Sequence, residues 1–411
     1  MSQTHEKFQQ FGLECGFIKA GWEENREALV QIASVQTLAS RDWWQQHSFD
    51  LVLLDECHLT SFSSVVKQMM TQVHPGSIYL GLTATPWRLS RLEGMGDLFK
   101  SLVCAPMPYE LIDQGFLIKP SYYSADLTDL SQVKTIEGEF DEVELALATD
   151  KPEIIKQIVS EWTRLAYGRR TIAFAVNVKH SQHLCEAFQA EGIPAAHVDG
   201  TTPIKVRHQI YQQLAEGEIW VLSSCNAVTE GFDVPSVNAI LLCRGTQSRA
   251  LNVQMVGRGL RTSLETDKSD CIVLDFVGNI ERHGFIEDIK EIQLSQGREP
   301  GAGIPPKKVC PTEDGGCGAV LYGFQMRCPE CNYHFESRKL DLFVGLKQQL
   351  REEDLERLEF YRDKLKEAYD KRYAPTWAAN VFREKFGHWP PWDWAKKAVF
   401  GESPTQEDKA A

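Results

Sequence analysis

An apolar run, Leu51–Leu54, breaks off into Asp55-Glu56-Cys57-His58. An Asp at the carboxyl end of a strand can hold Mg²⁺, and a neighbouring Glu can orient or deprotonate the attacking water, so the pair suits metal–nucleotide chemistry. The same acidic strand end could instead cap the next helix. Downstream, Gly81-Leu82-Thr83-Ala84-Thr85-Pro86 ends a second apolar run with hydroxyls in a tight turn. Further on come Thr229-Glu230-Gly231-Phe232-Asp233-Val234-Pro235 and Gln254-Met255-Val256-Gly257-Arg258-Gly259-Leu260-Arg261. Read alone, Arg258 and Arg261 are a surface pair on a helix; the flanking glycines argue for something more constrained. The pattern Cys310-x6-Cys317-x10-Cys328-x2-Cys331 gathers four thiols within 22 residues. Four thiolates around Zn²⁺ can fold a module too small for its own core. The six-residue gap predicts a longer loop in the first knuckle. His334 could substitute as a ligand, but four cysteines already fill a tetrahedron.

These groups need elements to hold them. Short runs rich in Val, Ile and Leu alternate with helical-looking segments, the pattern of strands buried on both faces of a parallel α/β sheet. Strands are predicted at Ala28–Val35, Leu51–Leu54, Ile78–Leu82, Thr171–Ala175, Ala195–Val198, Ile219–Ser223, Ala239–Cys243 and Cys271–Asp275. They fall into two groups, hence two lobes, at residues 1–120 and 151–295, with a connector at 121–150. A Gly/Pro-rich stretch at 296–308 reads as a linker, 309–337 as a four-cysteine zinc ribbon, and 338–411 as a helical, Trp-rich tail. Aromatic residues in that tail could stack on bases or a partner, or simply pack a small helical core.

With 411 residues, 43% of them hydrophobic and 25% charged, the chain can bury several cores. A formal charge of −13 excludes a protein that coats nucleic acid by bulk electrostatics, so any such contact must be local. The scattered Cys15, Cys57, Cys104, Cys185, Cys225, Cys243 and Cys271 read as reduced, mostly buried thiols. The polar opening and the lack of any run of ~20 apolar residues predict a cytoplasmic protein without a membrane span.

Taken together and in order, the motifs resemble those of superfamily 2 helicases of DEAD/DEAH type: DECH looks like motif II, TAT like motif III, TEGFD like motif V and QxxGRxxR like motif VI. The resemblance covers about residues 1–285. It implies two RecA-like parallel-sheet lobes, the first incomplete, that hydrolyse ATP with Mg²⁺ between them. It further implies that Asp55 ligates the metal through water and that Glu56 is the catalytic base. His58 would couple the nucleotide site to the opposite lobe near Gln254, Arg258 and Arg261 would be arginine fingers, Asp233 would contact the ribose or the motif VI arginines, and Gly231 would permit close backbone approach. Nucleic acid, DNA in preference to RNA, would meet Ser34, Gln36 and Thr37, then Thr83 and Thr85, and in the second lobe Asn177, Lys179, Thr201, Thr202 and Thr229. Helix capping is the competing role for several of these. The zinc module behind VGRGLR resembles the RadD-like branch of bacterial DNA-repair helicases and related phage-encoded helicases.

The phosphate-binding run G-x-x-x-x-G-K-[ST], whose amides and lysine cradle a triphosphate, does not occur among these residues. Ser2–Phe8 resembles the helix after motif Ia, so the first strand and phosphate loop are expected upstream of Met1, or in a partner. The chain as given is expected to hydrolyse ATP poorly. Its second reading is a catalytically inactive helicase remnant that binds nucleic acid or protein. A restriction-system motor would need a nuclease constellation, and none is evident.

Overall fold

The computed structural model describes residues 2–87, 93–125, 128–225, 232–294, 304–335, 352–371, 373, 375–387 and 389–390. The chain divides into two compact units, Met1–Tyr322 and Gly323–Ala411.

In the first lobe, β1 (Cys15–Ile18) runs parallel to β2 (Val30–Ala33), and β3 (Leu51–Asp55) runs parallel to β4 (Ile78–Leu82). Trp44, Leu54, Cys57, Val66 and Met69 form the core under the second pair. The other face of that pair leaves Leu51, Leu53, Ile78, Leu80 and Leu82 exposed. Period-two alternation puts these five residues on one side.

The second lobe is built on one six-stranded parallel sheet. Its strands are β5 (Pro120–Ser124), β8 (Thr171–Phe174), β9 (Ala195–Val198), β10 (Val221–Ser224), β11 (Ala239–Leu242) and β12 (Cys271–Asp275), in the order β5-β12-β11-β8-β10-β9. A small hairpin, β6 (Thr135–Ile136) with β7 (Glu139–Phe140), precedes the first helix. Strands β8, β10, β11 and β12 are buried throughout, which is why they read as unbroken apolar runs. Helix Pro152–Ala166 starts with Pro at its first turn and turns Ile154, Ile155, Ile158, Val159 and Trp162 inward at helical spacing.

Strand β5 begins at the last residue assigned to the first lobe and takes in the start of the expected connector, yet it pairs residue by residue with β12. Its proline is tolerated because it opens an edge strand. The antiparallel hairpin β13 (Lys307–Val309) and β14 (Val320–Tyr322) covers that edge: Ala319 bridges Tyr123, and the Ser124 amide donates to the Gly318 carbonyl at 3.2 Å. A buried ion pair, Lys307 Nζ to Asp288 Oδ2 at 2.5 Å, and a Tyr322 hydroxyl donating to Asp288 Oδ1 at 2.7 Å fasten the hairpin. Among the described residues no helix is long and apolar enough to cross a membrane.

In the second unit, helices Glu352–Asp370 and Pro375–Phe386 pack through Tyr361, Ala368, Ala378 and Phe382. Trp377 packs against this core and Trp389 is exposed, while Trp392 and Trp394 lie outside the described residues.

Candidate active site

Asp55 is the last residue of β3, paired with Leu82 of β4, so the acidic pair and the Thr83–Thr85 turn emerge at the same sheet end. The Glu56 amide donates to Asp55 Oδ1 at 3.0 Å. Glu56 adopts φ 46°, ψ 50°, a left-handed conformation unusual for a residue with a Cβ. Such strain, on the order of 1 kcal/mol, persists only where surrounding contacts enforce it. The short helix Cys57–Thr60 follows directly, with buried His58. His58 Nδ1 lies 2.9 Å from Thr83 Oγ1 and 3.3 Å from Glu56 Oε2, so it ties the acidic strand end to the threonine turn within one lobe. Gln254, the coupling partner expected for it, sits half-buried on helix Arg249–Gly257. Gly81 is needed by packing, because a Cβ there would meet Cys57 Sγ and Phe99 Cζ, each at 2.8 Å.

The second lobe supplies the cations. Ser248 caps helix Arg249–Gly257 by accepting the Leu251 amide, and Arg258 closes it. Arg258 donates to the Phe232 carbonyl at 3.0 Å. Burial and the neighbouring Arg261 lower its pKa, while the carboxylates of Glu56 and Asp233 raise it. Arg261 pairs with Asp233. Gly259 is fixed by the sheet beneath, since a Cβ would meet Cys271 Sγ at 2.6 Å and Ile240 Cγ1 at 2.8 Å; at Gly257 the space is open. Gly231 and Thr229 lie outside the described residues.

The residues singled out for nucleic acid that the structure describes lie in four places. Ser34 caps helix Val35–Ala39 and donates to Thr37 Oγ1 at 2.9 Å, with Gln36 exposed beside them. Thr83 is engaged by His58, and Thr85 is fully buried, so its hydroxyl faces protein. In the second lobe Asn177 caps the helix starting at Val178, with Lys179 exposed on its first turn. The amides and hydroxyls of Thr201 and Thr202 converge on Asp199 Oδ1. These hydrogen bonds hold the Asp199 carboxyl well below its usual range.

Sequence reasoning passed over two residues that hold the site. Lys268 donates to the carbonyls of Arg261 at 2.6 Å and Pro235 at 2.9 Å, clamping two motif segments, and burial pushes its pKa down to about 8. It sits in Thr266-Asp267-Lys268, which reads as an ordinary surface turn. Glu139, at the tip of the β6–β7 hairpin, accepts the Gln247 amide at 2.7 Å and the Thr246 hydroxyl at 2.5 Å, just ahead of the Ser248 cap.

The four cysteines Cys310, Cys317, Cys328 and Cys331 place their sulfurs within 4.8 Å of one another. Tetrahedral Zn–S bonds of ~2.3 Å put sulfurs ~3.8 Å apart, so a contraction of at most about 1 Å would bring these sulfurs to the spacing that Zn²⁺ needs. The Cys310 amide donates to Ala319 O, and its carbonyl accepts the Gly318 amide. A Cβ at Gly316 would meet Cys310 Sγ at 2.5 Å, so the long first knuckle folds tightly over its sulfur. Soft thiolates fit Zn²⁺, and the hard carboxylates of Asp55 and Glu56 fit Mg²⁺. His334 is exposed and outside the cluster.

Two family profiles match the chain: "Helicase conserved C-terminal domain" over residues 150–263 and "Type III restriction enzyme, res subunit" over residues 1–88. A 51.5 kDa protein of Lactococcus phage (isolate 7-9) is 29% identical over 334 residues, covering 80% of this chain and 70% of that protein. A Saccharomyces cerevisiae protein named as a candidate ATP-dependent helicase, IRC3, is 32% identical over 258 residues, covering 61% of this chain but only 37% of that one. Among solved structures, the fragment of a candidate HsdR subunit of a type I restriction enzyme from Vibrio vulnificus YJ016 superposes with a TM-score of 0.50 at 20% identity, covering 68% of this chain and 54% of the other.

Proposed function

This chain belongs to the superfamily 2 helicases, whose members act on nucleic acid, and from that premise we propose that it is built as an ATP-dependent DNA helicase or translocase. The observation that carries the reading is geometric: the acidic pair and the Thr83–Thr85 turn emerge at one sheet end of the first lobe, and Trp87 just beyond that turn lies 4.5 Å from the guanidinium of Arg249, the first residue of the arginine-bearing helix of the second. Phosphoryl transfer spreads negative charge over the γ-phosphate oxygens, and a guanidinium from a second lobe stabilises that charge only when the lobes close. Bound Mg²⁺ would neutralise the β- and γ-phosphates, and Asp55 at the open end of β3 is the group to hold it through water. Glu56 would take the proton of the attacking water. Arg258 and Arg261 would face the γ-phosphate, with Arg261 exchanging its Asp233 partner for the nucleotide. Lys268 would hold the backbone of Arg261 in place. Zn²⁺ on the four cysteines would be structural, because the ligand set leaves no open position. DNA is preferred on the resemblance to DNA-repair and phage-encoded helicases, and repair, recombination or phage replication are the settings that fit.

A second reading is a catalytically inactive helicase-like protein that binds nucleic acid or protein without turnover, the remnant reading. The test is DNA-stimulated ATP turnover, measured on this chain and on a version with a strand–loop–helix segment carrying G-x-x-x-x-G-K-[ST] from a superfamily member joined to its first residue. Turnover should appear, and Glu56→Gln and Arg258→Ala should each abolish it. Turnover indifferent to Arg258→Ala would refute the two-lobe site, and nucleotide binding absent from every version would favour the remnant.

A further inference from the structure

We propose that Trp87 and Arg249 form an interlobe latch, a positioning pair that fixes the arginine-bearing helix of the second lobe against the acidic strand end of the first. Trp87 follows the Thr83–Thr85 turn of the first lobe, and Arg249 is the first residue of helix Arg249–Gly257 in the second. The Arg249 guanidinium carbon lies 4.5 Å from the Trp87 ring centroid. That is within the ~6 Å over which a ring quadrupole attracts a cation. The Trp87 indole N–H is buried and has no hydrogen-bond partner among the described residues, and the contact to the other lobe is made by the ring.

The placement of this contact gives it a role. A nine-residue helix is about 13 Å long and behaves as a rod. Arg249 holds one end of it to Trp87, and Arg258 closes the other end, donating to the Phe232 carbonyl of its own lobe at 3.0 Å. On the first-lobe side Glu56 meets His58, His58 meets Thr83, and Thr83 Oγ1 accepts the Thr85 amide at 3.0 Å, two residues before Trp87. The Trp87–Arg249 contact thus links the acidic strand end to the arginine helix, so movement at one is passed to the other by a route that touches no nucleotide. The functional weight of the latch rests on the reading that Arg258 serves the same site as Glu56; the contact does not.

The test uses the full chain without nucleotide. In protein labelled with 5-fluorotryptophan, the Trp87 resonance is identified by its loss in Trp87→Phe, and Arg249→Gln is expected to shift it. Amide exchange should show Arg249→Gln speeding residues 55–60 in the first lobe, and Trp87→Leu speeding residues 249–257 in the second, each by about two- to tenfold. The double variant should exceed neither single one, and Arg249→Lys, which keeps the cation but not the planar stack, should fall between. Should Trp87→Leu fail to fold, Trp87→Phe and Arg249→Gln carry the same comparison. An unmoved Trp87 resonance in Arg249→Gln, changes confined to the substituted lobe, or additive effects would each overturn the latch. A latch that passes these tests in a chain that binds no Mg-ATP stands, and the nucleotide-site reading alone falls.

Discussion

Acid should unfasten the loop that starts the arginine helix. His283 donates its Nε2–H to the Thr246 carbonyl at 2.9 Å, two residues before the Ser248 cap. Burial, aided by the nearby Arg282 and Arg249, pushes its pKa from 6.5 down to about 4, against smaller opposing contributions from the Thr246 hydrogen bond and Glu139. The folded-state value lies below that of the unfolded chain, so the unfolded chain takes the proton first. The stabilisation is complete above about pH 6.5 and drains as pH falls toward about 4, at ~1.4 kcal/mol per tenfold, to a total of about 3 kcal/mol. His180, buried and lowered to about 4 as well, adds a contribution of the same sign. Urea unfolding at a series of pH values from 7.5 to 4 measures this, with His283→Gln, which keeps a donor for Thr246 and removes the titration, as the comparison. Parent and variant should converge as pH falls, because the variant no longer gains a proton on unfolding. Parallel stability curves across that window would refute the argument.

Gly259→Ala should destabilise the second lobe by about 1–3 kcal/mol in a denaturant melt, because its methyl would enter the space of Cys271 Sγ and Ile240. Gly257→Ala, in open space two residues away and on a helix, should be neutral or stabilising by up to ~1 kcal/mol, so equal effects at the two positions would disprove this account. Stripping metal with a strong chelator, or Cys310→Ser, should lower the melting temperature and speed amide exchange in both residues 307–322 and the strand at 120–124. Exchange at 120–124 indifferent to metal would show that the hairpin's cover does not depend on it.

The buried strands were legible because burial on both faces forces unbroken Val, Ile and Leu runs, as in Ala239–Leu242 and Cys271–Asp275. The strand Pro120–Ser124 was not, since its Ser-Tyr-Tyr-Ser sequence suits an edge covered by a hairpin and carries a proline, the usual mark of a loop. Cys15–Ile18 was not either, because its Cys-Gly-Phe-Ile sequence carries a glycine and no run of Val, Ile and Leu. The acid and arginine clusters were visible because motif order constrains them jointly. Lys268 and Glu139 were not, because both act on backbone groups brought near by folding, and nothing in their local sequence differs from a solvated turn. For Ser34 and Asn177 the capping alternative is the one with hydrogen bonds in place, whereas Thr201 and Thr202 bond to Asp199 and the helix after them has Pro203 at its cap; contact of all four with nucleic acid remains a proposal.

The cover over Pro120–Ser124 bears on how this protein can be divided. Where the sequence suggests a clean cut ahead of the cysteine module, a chain ended before Lys307 would lose the Tyr123–Ala319 bridge and leave a row of unpaired amides and carbonyls on a six-stranded sheet. Such a fragment would carry a ready template for strand addition by its neighbours. A soluble second lobe therefore has to end after Tyr322.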